Sequence, residues 1–138
     1  MSVLYWRAFE IMDSASTPKP TKAPINDWTL GGNALHYQHC KACTHTWYFF
    51  RPFCPSCGDT NPLVQLSLGR GLVFTQTLVH RAPDAKFREL APYKIVLVDL
   101  DEGFRMMAHG DKDLDIGDSV TLSFIALEDQ KIPYFKKI

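Results

Sequence analysis

The sequence predicts a mostly β protein: a small four-cysteine metal ribbon, then a five-stranded barrel of the OB type, with an N-terminal arm ahead of both. Three observations predict it. All four cysteines of the 138-residue chain fall in two CxxC pairs, Cys40/Cys43 and Cys54/Cys57. From Leu63 onward, apolar residues alternate in strand-length runs punctuated by glycine-bearing turns. Before the cysteines, residues 13–26 carry three prolines and little to bury, which reads as linker or extended arm. The division expected is therefore arm 1–27, ribbon 28–62 and barrel 63–138.

Residues 1–12 predict a short helix with Leu4, Ala8, Ile11 and Met12 on one side, marginal unless it docks. Trp28 to Tyr37 opens the folded part, with a turn at Gly31-Gly32-Asn33 and a short strand over Ala34–Gln38. A two-residue gap lets both thiolates of a CxxC pair face one ion. Two such turns brought together make a tetrahedral S4 cage, the arrangement of structural zinc. Four thiolates at this spacing also suit iron, as in a rubredoxin. Disulfides would need an oxidising compartment, and a redox CxxC a βαβ unit; neither is visible. Gly58 after the second pair suits a turn of positive φ, and Thr44 stands in the equivalent place after the first. His36, His39 and His45 flank the first pair and read as solvated or supporting groups rather than ligands. Between the pairs, five of the ten residues 44–53 are aromatic. So small a ribbon has little core, so Trp47, Tyr48, Phe49, Phe50 and Phe53 divide between covering the metal and offering a docking patch.

The barrel is expected to begin with Leu63–Leu68 running into Leu72–His80, one long strand bent and bulged at Gly69 and Gly71. A polar loop over 81–91 follows, then strands Tyr93–Leu100 and Phe104–His109 joined by a hairpin at Asp101-Glu102-Gly103. After a connector over 110–118 come Ser119–Leu127 and Ile132–Ile138. Pro133 places the last strand at an edge, or marks its start. Five strands with a long first one suggest a small closed barrel of the OB type, with an SH3-like barrel or an open sheet as alternatives.

Charge restricts partners. The chain has 15 Lys+Arg against 15 Asp+Glu, a formal net charge of +0. From Leu63 onward there are 10 basic and 11 acidic residues, so no positive surplus argues for nucleic acid. No apolar run reaches a membrane span, and Arg7 and Glu10 interrupt the N-terminus where a signal peptide needs its apolar stretch. A reduced, cytoplasmic protein is the expectation.

The order of ribbon and barrel resembles the DUF35-type proteins, which join a rubredoxin-like zinc ribbon to an OB-fold. The resemblance covers residues 35–135. It rests on Cys40-x-x-Cys43, Arg51-Pro52-x-Cys54-Pro55-x-Cys57-Gly58, Leu66-Ser67-x-Gly69-Arg70-Gly71 and Thr75-x-Thr77. Pro92-Tyr93, Val98-x-Leu100-Asp101-x-Gly103-x-Arg105 and Ile116-Gly117-Asp118-x-Val120 extend it. It departs at Thr44, where such proteins tend to have glycine, and in the proline-bearing arm that stands where they have a helix. The resemblance implies a zinc-binding accessory subunit of a thiolase-fold enzyme, of acyltransferase or aldolase type. It implies a hetero-oligomer, with the ribbon wedged on the enzyme and the OB part near the acyl-CoA entrance.

The expected function is thus a non-catalytic subunit of an acyl-CoA-processing complex. Acyl-CoA affinity would come from Arg70, Arg81, Lys86 or Arg88 meeting phosphates, with His80 at the barrel mouth. A single-stranded nucleic-acid module with stacking aromatics is one alternative. A stand-alone acyl-CoA hydratase or thioesterase is another, although Asp99, Asp101 and Glu102 read more simply as a solvated hairpin tip.

Overall fold

A computed structural model describes residues 23–138; the helix expected over 1–12 and the arm as far as residue 22 lie outside them. The ribbon is a three-stranded antiparallel sheet in the order β2-β1-β3, with β1 at His36–His39, β2 at Thr46–Trp47 and β3 at Leu63–Leu66. β4 (Arg70–Val79), β5 (Tyr93–Leu100), β6 (Arg105–Gly110), β7 (Ser119–Leu127) and β8 (Gln130–Lys137) close a barrel in the order β4-β5-β6-β8-β7. All its pairings are antiparallel except the short parallel contact of β6 with β8. The predicted ribbon and OB-type barrel are the architecture observed.

The strand pattern has a simple cause. β5 alternates strictly, placing Lys94, Val96, Val98 and Leu100 inward, as period-2 side chains require. Val73, Met106, Ala108, Val120 and Phe135 meet them in one cluster. Phe135 is fully buried, which contributes about 1.5–3 kcal/mol of transfer free energy. Leu114, from the connector between β6 and β7, is also fully buried and joins this core. The inward Lys94 is satisfied because its Nζ donates to the Leu114 carbonyl at 2.7 Å, as a buried ammonium must be.

Four details differ from the expected layout. Leu63–Leu66 pairs with β1 instead of beginning the barrel; its apolar residues serve a strand of either sheet equally well. The bulge lies at Phe74, between Val73 and Thr75, rather than at the glycines. Gly71 is needed for close approach: a Cβ there would sit 2.2 Å from the Asp99 carbonyl oxygen. Gly69 takes φ +69 at the entry to β4. Pro133 lies inside β8, opposite Phe124. The parallel pairing with β6 reaches only Tyr134 and Phe135, so the missing N–H of Pro133 interrupts no ladder on that side. Finally, the 81–91 loop contains a single helical turn, α1 (Ala85–Arg88), whose N-cap Asp84 accepts from the Phe87 N–H at 3.2 Å.

Ribbon and barrel share apolar contacts. Leu35 is buried in the barrel cluster, and Trp28, Tyr37 and Tyr48 pack on it. Tyr37 and Tyr48 both stack on Phe104. Glu102, expected at a solvated tip, instead holds the connection between the two parts. Its Oε1 accepts from the Ser67 hydroxyl at 2.9 Å and from the Leu68 N–H at 2.7 Å. Beside it, the Thr46 hydroxyl of β2 donates to the Gly103 carbonyl at 3.0 Å.

Candidate metal centre

Each cysteine pair sits on a tight turn, and the two turns share one hydrogen-bond plan. In the first, the Thr44 N–H donates to the Cys40 carbonyl and the Cys40 N–H to the His45 carbonyl. In the second, the Gly58 N–H donates to the Cys54 carbonyl and the Cys54 N–H to the Asp59 carbonyl. Both turns need positive φ at the residue after the second cysteine: Gly58 has φ 81 and Thr44 has φ 66. A left-handed conformation costs an L-residue about 1–2 kcal/mol. The Thr44 hydroxyl donates to the Cys43 carbonyl at 2.6 Å, which offsets part of that cost. Thr44→Gly is therefore expected to raise ribbon stability by about 0.5–1 kcal/mol, measured as a higher denaturation midpoint of the metal-loaded protein.

The four sulfurs converge. All lie within 4.8 Å of one another, with Cys40–Cys57 and Cys43–Cys54 each at 3.6 Å. A tetrahedral zinc with bonds of 2.3 Å separates its sulfurs by about 3.8 Å, so the cage has the size of one metal ion. All four are free thiols rather than disulfides. Among the described residues this is the one His/Cys/Asp/Glu group with metal-binding geometry. A soft S4 donor set suits zinc or iron, and a tetrahedral site so saturated has no position left for water or substrate.

Electrostatics favour a cation there. Desolvation raises the Cys54 thiol, but the N–H groups of Cys57 and Ser56 and the neighbouring thiols outweigh it and bring the thiol down to about 7. For Cys57 the Asp59 N–H lowers the value, while the thiols of Cys40 and Cys43 raise it, to about 12. Thiolates this close repel, and a divalent cation removes the conflict by holding all four deprotonated.

The support around the cage comes from residues that spacing did not reveal. Gln38 of β1 is 1% exposed. Its Oε1 accepts from the Trp47 indole N–H and the Arg51 N–H, each at 2.7 Å, and its Nε2 donates to the Arg51 carbonyl at 2.8 Å. Both donors meet the oxygen and the one acceptor meets the nitrogen, so the amide has a single consistent orientation. Trp47, held in this way, packs on Cys40 and Cys54, and His45 stacks on it. Asp27 is similarly buried. Its carboxylate accepts from the Thr29 N–H and hydroxyl and from the His36 N–H, and the His36 ring lies 3.1 Å away. Asp27, expected in the arm, thus ties the entry of the chain to β1.

The expected docking aromatics divide. Trp47 is buried on the metal cage and Tyr48 packs on the barrel, with its oxygen facing the Met107 N–H. Phe50 is half-buried, whereas Phe49 and Phe53 are 55% and 48% exposed. Phe49 packs on Tyr48. Beyond Tyr48, the barrel's outer face exposes Met107, Phe74 and Leu72, with the Arg105 guanidinium stacked 3.4 Å over Phe74 and paired to Asp99. The five expected ligand-binding residues divide as well. His80, Arg81 and Arg88 line one cavity. Lys86 is paired with Glu128 at 3.1 Å. Arg70 starts β4, at the strand end opposite His80.

Similarities to known proteins follow the same lines. A family model for the ChsH2 C-terminal OB-fold domain matches residues 63–124. A DUF35 domain-containing scaffold protein of Methanocaldococcus jannaschii is 37% identical over 68 residues, 49% of this chain and 48% of that one. A protein of the same description from Methanothermobacter thermautotrophicus is 30% identical over 90 residues, 62% of this chain and 67% of that one. The match therefore spans about half the length of the first relative and two thirds of the second. Among solved structures, one described as an Ltp2-ChsH2(DUF35) aldolase superposes with a TM-score of 0.64 at 28% identity, over 75% of this chain and 84% of that one. A protein of unknown function from the DUF35 family of Sulfolobus solfataricus superposes with a TM-score of 0.54 over 96% of this chain and 98% of that one. At 14% identity, that likeness shows the fold alone.

Proposed function

The chain belongs to the DUF35 family, and from that premise we propose that it is a non-catalytic scaffold subunit whose zinc-bound ribbon docks on a thiolase-fold enzyme of acyltransferase or aldolase type. In this reading the zinc is architectural, held by Cys40, Cys43, Cys54 and Cys57, and the barrel borders the partner's acyl-CoA entrance.

The observation that carries the reading is the apolar surface beside the cage. Phe49 and Phe53 are exposed on a ribbon whose loop is held from beneath by Gln38 and by the cysteines. Met107, Phe74 and Leu72 are exposed on the barrel as well. Rigid exposed aromatics on a fixed frame are the composition of interface anchors. The relatives named as scaffold proteins, and the aldolase in which a DUF35 chain accompanies Ltp2, support the same reading. Among the described residues, no helix is long and apolar enough to cross a membrane.

The test is co-expression with thiolase-fold enzymes encoded in the same genome, followed by size-exclusion chromatography with light scattering. A stable hetero-oligomer is expected, and the double variant Phe49→Asp/Phe53→Asp should weaken it at least tenfold while retaining its metal. A chain that remains alone with every such enzyme, or a variant that assembles as tightly as the parent, would refute the docking surface.

A further inference from the structure

We propose that Cys57 is a modification site for hydroperoxides, and that its oxidation closes a Cys57–Cys40 disulfide and empties the metal cage. The four cysteines are equivalent as ligands but not in their access to solvent. Cys40 and Cys54 are 0% and 1% exposed and lie under Trp47, with Cys43 half-buried against the same cluster. Cys57 is exposed, and so are Pro55, Ser56 and Gly58 on its turn. A bound divalent ion holds all four sulfurs as thiolates, the form that reacts with oxidants. Access then decides which reacts first, and it favours Cys57.

A resolving thiolate is already beside it. The Cys40 sulfur lies 3.6 Å from that of Cys57, on the other turn. A disulfide bond is about 2.05 Å long, so closing this pair draws the two turns together only slightly. In the first step the Cys57 thiolate attacks the terminal oxygen of the hydroperoxide. An S–O bond forms, the O–O bond breaks, and the alkoxide or hydroxide leaves and takes a proton from water. Sulfur gives up two electrons and the peroxide gains them. In the second step the Cys40 thiolate attacks the Cys57 sulfur. The S–S bond forms, the S–O bond breaks, and the departing hydroxide becomes water with one further proton.

Two of the four donors are then spent. Cys43 and Cys54 alone do not complete a tetrahedral site, so the ion departs, and with it the binding energy that folds so small a module. These two sulfurs also lie 3.6 Å apart, and a second equivalent of peroxide joins them in the same way. The Cys40–Cys57 pair goes first because it contains the exposed member. Thiols reverse both bonds, which makes the change a switch rather than damage. In the scaffold reading, on which this consequence alone rests, oxidation dissolves the docking face that carries Phe49 and Phe53.

The experiment treats the metal-loaded full chain with substoichiometric hydrogen peroxide, with and without dimedone to trap sulfenic acid, and maps the products by peptide mass spectrometry. A metal-responsive dye follows release of the ion. The dimedone adduct is expected at Cys57, about tenfold above any other cysteine. Without the trap, a Cys40–Cys57 disulfide should form in step with metal release, and dithiothreitol with added zinc should restore the loaded ribbon. Cys57→His keeps a nitrogen ligand at an exposed position and removes the oxidisable sulfur; it should need about tenfold more peroxide to lose its ion. The proposal is overturned if adducts spread evenly or favour another cysteine, if the first disulfide joins Cys54 to Cys57, if the ion stays bound after the disulfide forms, or if loaded Cys57→His empties as readily as the parent. The trapping result decides by itself should that variant not hold metal. Because the isolated chain is used, failure here leaves the scaffold reading standing, and failure of that reading leaves the oxidation site standing.

Discussion

Cys54→Ser is expected to abolish metal binding and unfold the ribbon while leaving the barrel closed. Cys54 is 1% exposed and packs with Cys40 under Trp47. Apart from what it shares with the barrel, the ribbon's buried cluster among the described residues is this group, so the ion supplies most of what holds residues 36–66 together. In small zinc modules that contribution is about 10–16 kcal/mol, comparable to or above the whole stability of an ordinary domain, about 5–15 kcal/mol. The barrel keeps its own cluster around Val96, Val98, Met106 and Phe135. It would lose the cover that Tyr37 and Tyr48 give it. Elemental analysis should find the parent with one equivalent of metal and the variant with nearly none. Amide spectra should keep dispersed signals for β4–β8 and lose them for β1–β3. A variant retaining a full equivalent of metal would show that the four thiols are not the ligands.

Gln38→Leu is expected to cost about 2–6 kcal/mol: it leaves the buried Trp47 indole N–H without its partner, at about 1–3 kcal/mol, and removes a hydrogen bond from each of the two part-buried backbone groups of Arg51, at about 0.5–1.5 kcal/mol each. Leucine has nearly the right shape, so lost volume does not explain the effect. Gln38→Glu gives a second reading of the same point. It keeps an acceptor for the two N–H groups but turns an oxygen toward the Arg51 carbonyl, so it should destabilise as well. Denaturant unfolding of the metal-loaded protein, followed by Trp47 emission against a Trp47→Phe control, measures both. A loss below about 1 kcal/mol for Gln38→Leu would mean that the hydrogen bonds reform with water.

Several of these features were legible in the sequence. Cysteine spacing announces the cage because the geometry of a two-residue gap is local. Alternation announces β5 and β7 because period 2 is a property of the strand alone. What was hidden depends on which neighbour a residue meets. Leu63–Leu66 reads as a strand, but nothing in its apolar residues says that its partner is β1 rather than β5. The sequence points to Gly69 and Gly71 for the bulge that lies at Phe74, since glycine permits both a bulge and a close approach. Glu102, in an Asp-Glu-Gly turn, has the composition of a solvated tip. Its carboxylate finds Ser67 and Leu68 only because the ribbon is folded back onto the hairpin. Among the aromatics, Trp47 and Phe49 differ by two positions, yet one roofs the sulfurs and the other faces solvent.

The grip of Glu102 on Ser67 and Leu68, with Thr46 fastened to Gly103 beside it, has a mechanical consequence. Only three residues, Ser67 to Gly69, separate the two sheets, and the hairpin clamps two of them while touching β2 as well. Ribbon and barrel must then pivot as one rigid lever. Whatever seizes the cysteine turns also aims the barrel, with the angle fixed in advance rather than chosen on contact.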